Sequence, residues 1–379
     1  SLTAIKNKDA NINIVVTPAV QNITADQVTQ INNIAAATEG TVTASIDGNV
    51  AELDDLAANG TSATCALTIV VDDAVTVAQG KTIVDATSIT TVDFSAAGVS
   101  DTLANSINND AVHASLTAIK NKDTDVNITL GTVNTISSTQ ITHLNLITDL
   151  TTGTVTGTID GNIAELDDLS TNASQTATCA LTITVADAAT VTAAKAVVDA
   201  TSVGTVAFTT GISDTLANCI DTNAIHGDLT AIKNKDGSIN IALTAINTIT
   251  ATQVTHLNLV TDVTTGTVTV TIDGNIAELD DLSTNASQSG TCALTITVAD
   301  VVTVTQGKAV VDATSVGTVA FTTGLTGGLS TYIASGANTI HADFTAIHGK
   351  DNDIKVAIDT DASMTNDKIT QLNAVTALT

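Results

Sequence analysis

Six aspartates that recur at two fixed positions are the first residues in this chain whose type and spacing suggest chemistry. They are Asp47, Asp160 and Asp273, each in the phrase Ile-Asp-Gly-Asn, and Asp72, Asp187 and Asp300, each directly after or near the end of an apolar run. Carboxylates stacked in register would repel one another, and a calcium ion held by oxygen ligands would relieve that repulsion. Alternatively, each aspartate caps its own helix by accepting hydrogen bonds from backbone N–H groups, without a metal. The sequence leaves both interpretations open.

The cysteines and histidines follow the same repetition. Cys65, Cys179 and Cys292 share one position, whereas Cys219 occurs once. Equivalent positions are expected about 20 Å apart, too far for a disulfide, so buried apolar packing is predicted for all four thiols. The recurring histidines are His113, His226 and His341 at one position and His143 and His256 at another, while His348 replaces the lysine found at Lys233. No nucleophile recurs beside them and no Cys/His zinc motif is present, which predicts packing roles and no enzymatic activity.

These residues repeat because the chain itself repeats, with a period of about 113 residues. Residues 1–114, 115–227 and 228–342 are three copies, and 343–379 begins a fourth. The third copy departs from the others at Thr326–Ala342. The sequence predicts that all four segments form one continuous structure. Since the chain opens in phase with a repeat and shows no signal peptide, it is expected to be a segment of a longer protein.

Composition limits the partners. The formal net charge is −27, from 39 acidic residues against 12 lysines and no arginine. Nucleic acid and anionic membrane surfaces are therefore excluded as expected partners. No apolar run is long enough to span a bilayer, which predicts no membrane insertion. With aromatic residues at 1 %, the core must be built from small aliphatic side chains in thin, regular layers.

Short runs with strict alternation of apolar and polar residues predict half-buried strands. In the first copy they are Ile12–Val16, Thr41–Ile46, Cys65–Val71 and Thr91–Ser95; in the second, Val126–Leu130, Thr154–Ile159, Cys179–Val185 and Thr205–Thr210; in the third, Ile239–Leu243, Thr267–Ile272, Cys292–Val298 and Thr318–Thr323. Ile354–Ile358 follows in the fourth copy. Between the runs the apolar spacing changes to three and four residues, as in Val254, Leu257 and Val260, which predicts helices.

Alternating strands and helices predict parallel strands joined by right-handed crossovers. The predicted fold is α/β: a right-handed solenoid of about thirteen coils, each with one parallel strand and one helix, and with the helices on one side of a single long parallel sheet. A doubly wound sheet is the alternative. It would require strands that are apolar on both sides, and these strands are apolar on one side only.

The side of the sheet opposite the helices would consist of threonine, serine and alanine, with Asp93 and Lys355 as charged exceptions. We call its threonines the threonine face: Thr41, Thr43, Thr68, Thr154, Thr156, Thr158, Thr182, Thr184, Thr267, Thr269, Thr271, Thr295, Thr297, Thr318 and Thr322. Three interpretations compete: a merely solvated surface, a flat surface that packs against another copy, and a hydroxyl array that orders water in the manner of ice-binding proteins.

The phrases Val298–Thr305, Val185–Lys195 and Ser213–Asn218 resemble tandem-repeat segments of very large cell-surface proteins of cyanobacteria and other aquatic bacteria. That resemblance implies an extracellular structural or adhesive role and transfers no catalytic residue. The expected function is therefore a non-enzymatic structural repeat protein of a fibre, stalk or surface layer, which forms homo-oligomers or polymers through the threonine face. An ice-binding or adhesin module that uses the same face is the alternative, and calcium is the only cofactor considered.

Overall fold

The computed structural model describes residues 2–57, 63–94, 97–335, 338–360 and 363–379. They form two compact units, Ser1–Val185 with Ala196–Val206, and Ala186–Lys195 with Ala207–Thr379. Within these residues the protein is a mixed α/β structure with parallel sheets and no closed barrel. The nearly aromatic-free composition is matched by a core of buried valine, isoleucine, leucine and alanine.

The first unit contains these elements: α1 Leu2–Lys6, β1 Ile14–Val15, α2 Ala25–Ala36, β2 Thr41–Gly48, α3 Val50–Leu53, β3 Thr64–Val71, α4 Val77–Asp85, β4 Val92–Asp93, β5 Val99–Asp101, α5 Leu103–Ser106, β6 Ile107–Asn108, β7 Ala111–Val112, α6 Ala114–Lys122, β8 Ile128–Leu130, α7 Ser138–Thr148, β9 Thr154–Gly161, α8 Ile163–Leu166 and β10 Thr178–Val185. Two elements, α9 Val191–Asp199 and β11 Val206–Phe208, have residues assigned to each unit.

The second unit continues with β12 Ile212–Asp214, β13 Ile220–Asp221, β14 Ala224–Ile225, α10 Gly227–Lys235, β15 Ile241–Leu243, α11 Ala251–Val263, β16 Thr267–Gly274, α12 Ile276–Leu279, β17 Thr291–Val298, α13 Val304–Asp312, β18 Val319–Phe321, β19 Leu325–Gly327, α14 Leu329–Tyr332, α15 Ala342–His348, β20 Val356–Ile358 and α16 Asn366–Thr376. Short 3-10 helices lie at Asn172–Ser174, Leu216–Cys219 and Asn285–Ser287.

Every alternating run that lies wholly in the described residues overlaps a strand, while Ser95 at the end of one run lies outside them. The predicted parallel pairing is confirmed in the three larger sheets, whose orders are β1-β2-β3-β4, β11-β10-β9-β8-β5 and β12-β15-β16-β17-β18. The register is regular, with Val268 opposite Cys292 and Ile272 opposite Ile296. The apolar helix residues Val254, Leu257 and Val260 are buried, as their spacing predicts.

The prediction of a single long sheet is wrong for the described strands, because the paired strands are divided among separate sheets. The chain turns between β4 and β5, between β11 and β12, and between β18 and β19. Gly98, Gly211 and Gly324 occupy these turns with φ of +71°, +89° and +88°. A Cβ at Gly211 would overlap the carbonyl oxygen of Asn240, so only glycine allows this close approach. On the two sides of Gly211, β11 pairs with β10 and β12 pairs with β15.

Two short antiparallel pairs were also not predicted. β6 pairs with β7, with Ile107 opposite Val112, and β13 pairs with β14, with Ile220 opposite Ile225. Each hairpin contains only two paired residues per strand, which is too short for an alternation signal in the sequence. The hairpins lie directly before α6 and α10, and therefore interrupt the strand-helix alternation once in each unit.

Candidate interaction face

Alternation along the paired strands leaves the threonine face accessible in the isolated chain. None of its fifteen residues is buried. Exposed members are Thr43, Thr68, Thr158, Thr182, Thr269, Thr271, Thr295, Thr318 and Thr322, and half-exposed members are Thr41, Thr154, Thr156, Thr184, Thr267 and Thr297. The alternate residues point into the core: Val268, Ile272 and Ile296 are buried. The two sides of these strands thus differ as the sequence predicts.

Hydroxyl groups on neighbouring strands lie in register. Thr158 is opposite Thr182, and Thr271 is opposite Thr295, so each pair brings two methyl and two hydroxyl groups side by side. Thr156 Oγ1 donates a hydrogen bond to Thr129 Oγ1 at 3.0 Å. Such bonds fix side-chain rotamers before any partner arrives, which lowers the entropy cost of ordering the surface.

The face is less uniform than its threonines alone suggest. Asp47, Asp160 and Asp273 continue the outward alternation at the ends of β2, β9 and β16, and each is half-exposed. In β3 the outward position after Thr68 is Val70, which is also exposed. Charge therefore lies at one margin of the threonine face, in addition to the predicted exceptions Asp93 and Lys355, which are exposed.

The six candidate calcium ligands are dispersed. Within the ranges that the structure describes, no group of three or more histidine, cysteine, aspartate or glutamate side chains is placed to hold a metal ion. Asp47 instead accepts a hydrogen bond from the backbone N–H of Asn22 at 2.5 Å. Calcium binding at Asp47, Asp72, Asp160, Asp187, Asp273 and Asp300 consequently has no donor cluster to support it and stays a prediction.

Aspartates at strand ends do cap helices, but each caps the helix before its strand and not the helix that follows it. The residue at the N-cap of α12 is Asn275, not Asp273, and Asn275 makes no side-chain capping bond. The carboxylate of Asp300, which follows the next strand, accepts from the first amide of α12, Ile276 N–H, at 3.2 Å. Asp73, the neighbour of the predicted Asp72 and not itself predicted, accepts from Val50 N–H in the same way at 2.7 Å. Each of these aspartates therefore caps the helix that precedes its strand, because parallel strands in register place consecutive turns side by side.

Two further aspartates make this contact and were missed in the sequence. Asp101 accepts from Val77 N–H and Asp214 accepts from Val191 N–H, each at 2.9 Å. Burial acts to raise the pKa of Asp101, but hydrogen bonds from the Asn105 side chain and from two backbone amides together lower it. The signal that could have revealed them is an aspartate directly at the end of a short strand.

A second set of buried carboxylates accepts hydrogen bonds from backbone amides at, or directly after, the end of a strand. Asp123 accepts from Phe94 N–H at 2.7 Å, and Asp351 accepts from Phe321 N–H at 2.7 Å. Burial, together with the nearby Asp125 carboxylate, raises the pKa of Asp123 to about 6. Burial likewise raises the pKa of Asp351. These residues were not predicted as special, because their burial depends on a strand far away in sequence.

The cysteines are buried as predicted, whereas the recurring histidines make hydrogen bonds that the sequence did not predict. Cys65, Cys179, Cys219 and Cys292 are free and buried, and burial raises the pKa of all four thiols, that of Cys219 to about 12. Such thiols are poor nucleophiles at neutral pH. His113, His226 and His341 are N-cap residues whose Nδ1 atoms accept from a backbone N–H two residues later. His143 Nε2 lies 3.0 Å from Asp110 Oδ1, at the tip of the β6–β7 hairpin.

Comparison with known proteins adds no family. No family model matches the chain, and a search of curated proteins finds no match. Among the helices that the structure describes, none combines the length and the apolar character needed to cross a membrane. The fold and the face together define a mixed α/β protein with parallel sheets whose strands are apolar on one side and hydroxyl-bearing on the other.

Proposed function

We propose that this chain is a non-enzymatic, extracellular structural repeat protein that associates with further copies of itself through the threonine face. The observation behind the proposal is the accessibility of all fifteen threonines combined with their cross-strand register. A surface of short neutral side chains needs little desolvation of charge when it is covered. The extracellular location rests on the resemblance of the repeat phrases to cell-surface proteins.

The proposed shape is a right-handed solenoid of about thirteen coils, with the helices on one side. In its support, strands pair in parallel with the strand that follows, as β16 does with β17 and β17 with β18. Parallel strands joined through helices are right-handed in nearly all proteins. Small-angle X-ray scattering of the monomer tests this: an elongated particle supports the solenoid, and a compact particle contradicts it.

Electrostatics favours the threonine face over the remaining surface as the contact. The chain has a net charge of −27, so two copies repel each other wherever their carboxylates approach. Thr184 and Thr297 lie opposite Asp160 and Asp273 at the acidic margin of the face, whereas Thr271 and Thr295 lie opposite each other, one outward position further from that margin. Salt is therefore expected to strengthen association by screening the repulsion between the acidic surfaces.

Lysine substitution provides the direct test. Thr271→Lys with Thr295→Lys places two positive charges opposite each other on β16 and β17. Ala277→Lys with Thr305→Lys makes the same change of net charge at exposed helix positions. In sedimentation velocity and electron micrographs, the first double variant should lose lateral assembly and the second should keep it. Equal assembly of the two variants would contradict the proposal.

Ice binding is a second candidate because of the threonine pairs. Neighbouring strands lie about 4.8 Å apart and alternate residues along a strand about 6.7 Å apart, so the hydroxyl groups form a two-dimensional array. Ala180 and Ala293 interrupt that array opposite Thr156 and Thr269. Thermal hysteresis of the wild-type protein that disappears in Thr271→Lys with Thr295→Lys would favour this function, whereas its absence would exclude it.

A further inference from the structure

Three exposed apolar side chains recur at one position of the repeat. Ile89 is 68 % exposed, Val203 is 70 % exposed and Val316 is 68 % exposed. Among the described residues they are the most exposed of the large apolar side chains. We call them the apolar turn residues, because each lies in the turn directly before β4, β11 or β18. Packing within one chain does not require an apolar side chain at these positions.

A second exposed position shows how the copies differ where the side chain is not constrained. Ala78, Thr192 and Thr305 share a position in the first turn of α4, α9 and α13, and all three are exposed. This position changes between alanine and threonine. The apolar turn residues are isoleucine or valine in every copy. An exposed position that stays apolar and β-branched in all three copies indicates a contact with another molecule.

A buried threonine fixes each of these turns. It comes two residues before the apolar turn residue, and its Oγ1 accepts a hydrogen bond from a leucine N–H of the preceding long strand. The three bonds are Leu67 N–H to Thr87 at 3.1 Å, Leu181 N–H to Thr201 at 3.0 Å and Leu294 N–H to Thr314 at 2.9 Å. The turns are therefore ordered before any contact, which lowers the entropy cost of covering them.

A lysine ammonium group binds two of the turns. Lys122 Nζ donates to the carbonyl oxygens of the residues directly before and after Ile89, at 3.2 and 3.0 Å. Lys350 Nζ makes the matching bonds on both sides of Val316, at 2.9 and 2.8 Å. Each of these turns therefore carries a positive charge as well as an exposed apolar side chain.

A carboxylate precedes the same two turns. Asp85 is the last residue of α4 and Asp312 is the last residue of α13, each four residues before the apolar turn residue. Both pair with a lysine of their own helix, but their side chains are still 62 % and 41 % exposed. An apolar side chain, a positive group and a negative group thus belong to one short stretch of surface.

We propose that the apolar turn residues are a contact surface for a second copy of this chain, in which turns pack against turns across a two-fold axis. A surface that carries an apolar side chain and one group of each sign is complementary to itself. A two-fold axis can bring Asp85 of one copy toward Lys122 of the other. Since the net charge is −27, contacts through most other surfaces would bring carboxylates together.

This contact is separate from the threonine face, because the turns lie outside the strands. A two-fold contact closes on itself and yields dimers, whereas the threonine face is proposed to build larger assemblies. Three turns in each copy let several weak contacts act together. That joint action rests on the solenoid proposed above, in which equivalent turns lie along one edge.

Two triple variants with the same change of net charge test the proposal. The turn variant carries Ile89→Asp, Val203→Asp and Val316→Asp. The helix variant carries Ala78→Asp, Thr192→Asp and Thr305→Asp, and all six positions are exposed. Both variants and their parent also carry Thr271→Lys and Thr295→Lys, so that association through the threonine face is suppressed. Comparison of the parent with the wild-type protein tests the threonine face, and comparison of the turn variant with the parent tests the turns.

Sedimentation velocity over a hundredfold range of concentration gives the result. We expect the parent and the helix variant to form dimers and nothing larger. The dissociation constant of the turn variant should be at least tenfold higher. A parent that stays monomeric would overturn the proposal, and so would equal dissociation constants of the two triple variants.

Disulfide cross-linking decides the question if the turn variant does not fold. Val203→Cys places a thiol in the second of the three turns, which a two-fold axis pairs with itself whether the two chains run parallel or antiparallel. Thr192→Cys is the matched control at an exposed helix position, and the four native cysteines are buried. In the parent background, oxidation with diamide should link Val203→Cys into dimers at least tenfold faster than Thr192→Cys. Equal rates would contradict the proposal.

Discussion

The two sides of β16 and β17 differ in burial: one side packs in the core and the other is exposed. On one side Val268, Ile272 and Ile296 are buried with at most 1 % exposure. On the other side Thr271 and Thr295 lie opposite each other and are exposed. Burial of aliphatic side chains stabilises the fold by about 25 cal/mol for each Å² removed from water. The hydroxyl-bearing side contributes little to folding, because its side chains stay accessible in the isolated chain.

Truncation on the buried side should have the largest effect. Leu294→Ala removes a side chain that is 2 % exposed, and such a change lowers the free energy of unfolding by about 2–5 kcal/mol. The milder Ile296→Val should cost about 0.5–1.5 kcal/mol. Urea unfolding followed by circular dichroism measures both. A loss below about 1 kcal/mol for Leu294→Ala would show that the buried side is loosely packed.

Asp123 is a carboxylate buried in a largely apolar interior, so its titration reports on the buried side of the fold. The pKa of Asp123 is about 6 when folded against an ordinary value of 3.8, so the folded state prefers the neutral acid. The stability that the neutral acid contributes to the folded state is fully present below about pH 4 and is lost as the pH rises through about 6. Asp123→Asn, which keeps an acceptor for Phe94 N–H, should remove that pH dependence.

The neighbouring carboxylate provides a control for the pH effect. Asp125 raises the pKa of Asp123, and the corresponding position in the next copy is Ser238, whose hydroxyl donates to Asp236. Asp125→Ser should therefore lower the folded-state pKa of Asp123 but leave it above 3.8. The pH range over which stability changes should become narrower without disappearing. Thermal unfolding between pH 4 and 7 measures the change. An unaltered slope in both Asp123→Asn and Asp125→Ser would refute the assignment.

Truncation on the hydroxyl-bearing side should have the smallest effect on stability. Thr295→Ala changes an exposed side chain, and we expect the free energy of unfolding to change by less than about 0.5 kcal/mol. The same urea titration that measures Leu294→Ala tests this. A loss comparable with that of Leu294→Ala would mean that the two sides of β17 do not differ in the way the burial pattern indicates.

Much of this contrast could be predicted from the sequence, because period-two alternation is a local signal. The runs at Thr267–Ile272 and Cys292–Val298 predicted both the strands and their buried sides, and the structure confirms them. The division into separate sheets could not be predicted. Gly98, Gly211 and Gly324 lie where the chain passes from one sheet to the next, and each has a positive φ and a carbonyl oxygen of a distant residue where a Cβ would lie.

The role of the aspartates was also only partly predictable. Their recurrence at strand ends was visible, but Asp300 caps the helix of the preceding turn rather than its own. That partner lies 24 residues away in sequence, and only the register of parallel strands brings the two together. In the sequence, repulsion between the carboxylates suggested a bound metal ion. In the structure, backbone N–H groups donate hydrogen bonds to the carboxylates of Asp47 and Asp300.

Cysteine labelling tests the central claim most directly, because the four native cysteines are buried and give little background. Thr295→Cys places a thiol on the threonine face, and Thr305→Cys places one on an exposed position of α13. Reaction with a thiol reagent is compared in dilute, unassembled protein and in concentrated, assembled protein. The account predicts that assembly slows labelling of Thr295→Cys at least tenfold and leaves Thr305→Cys unchanged. Equal protection of both positions, or of neither in assembled protein, would contradict it.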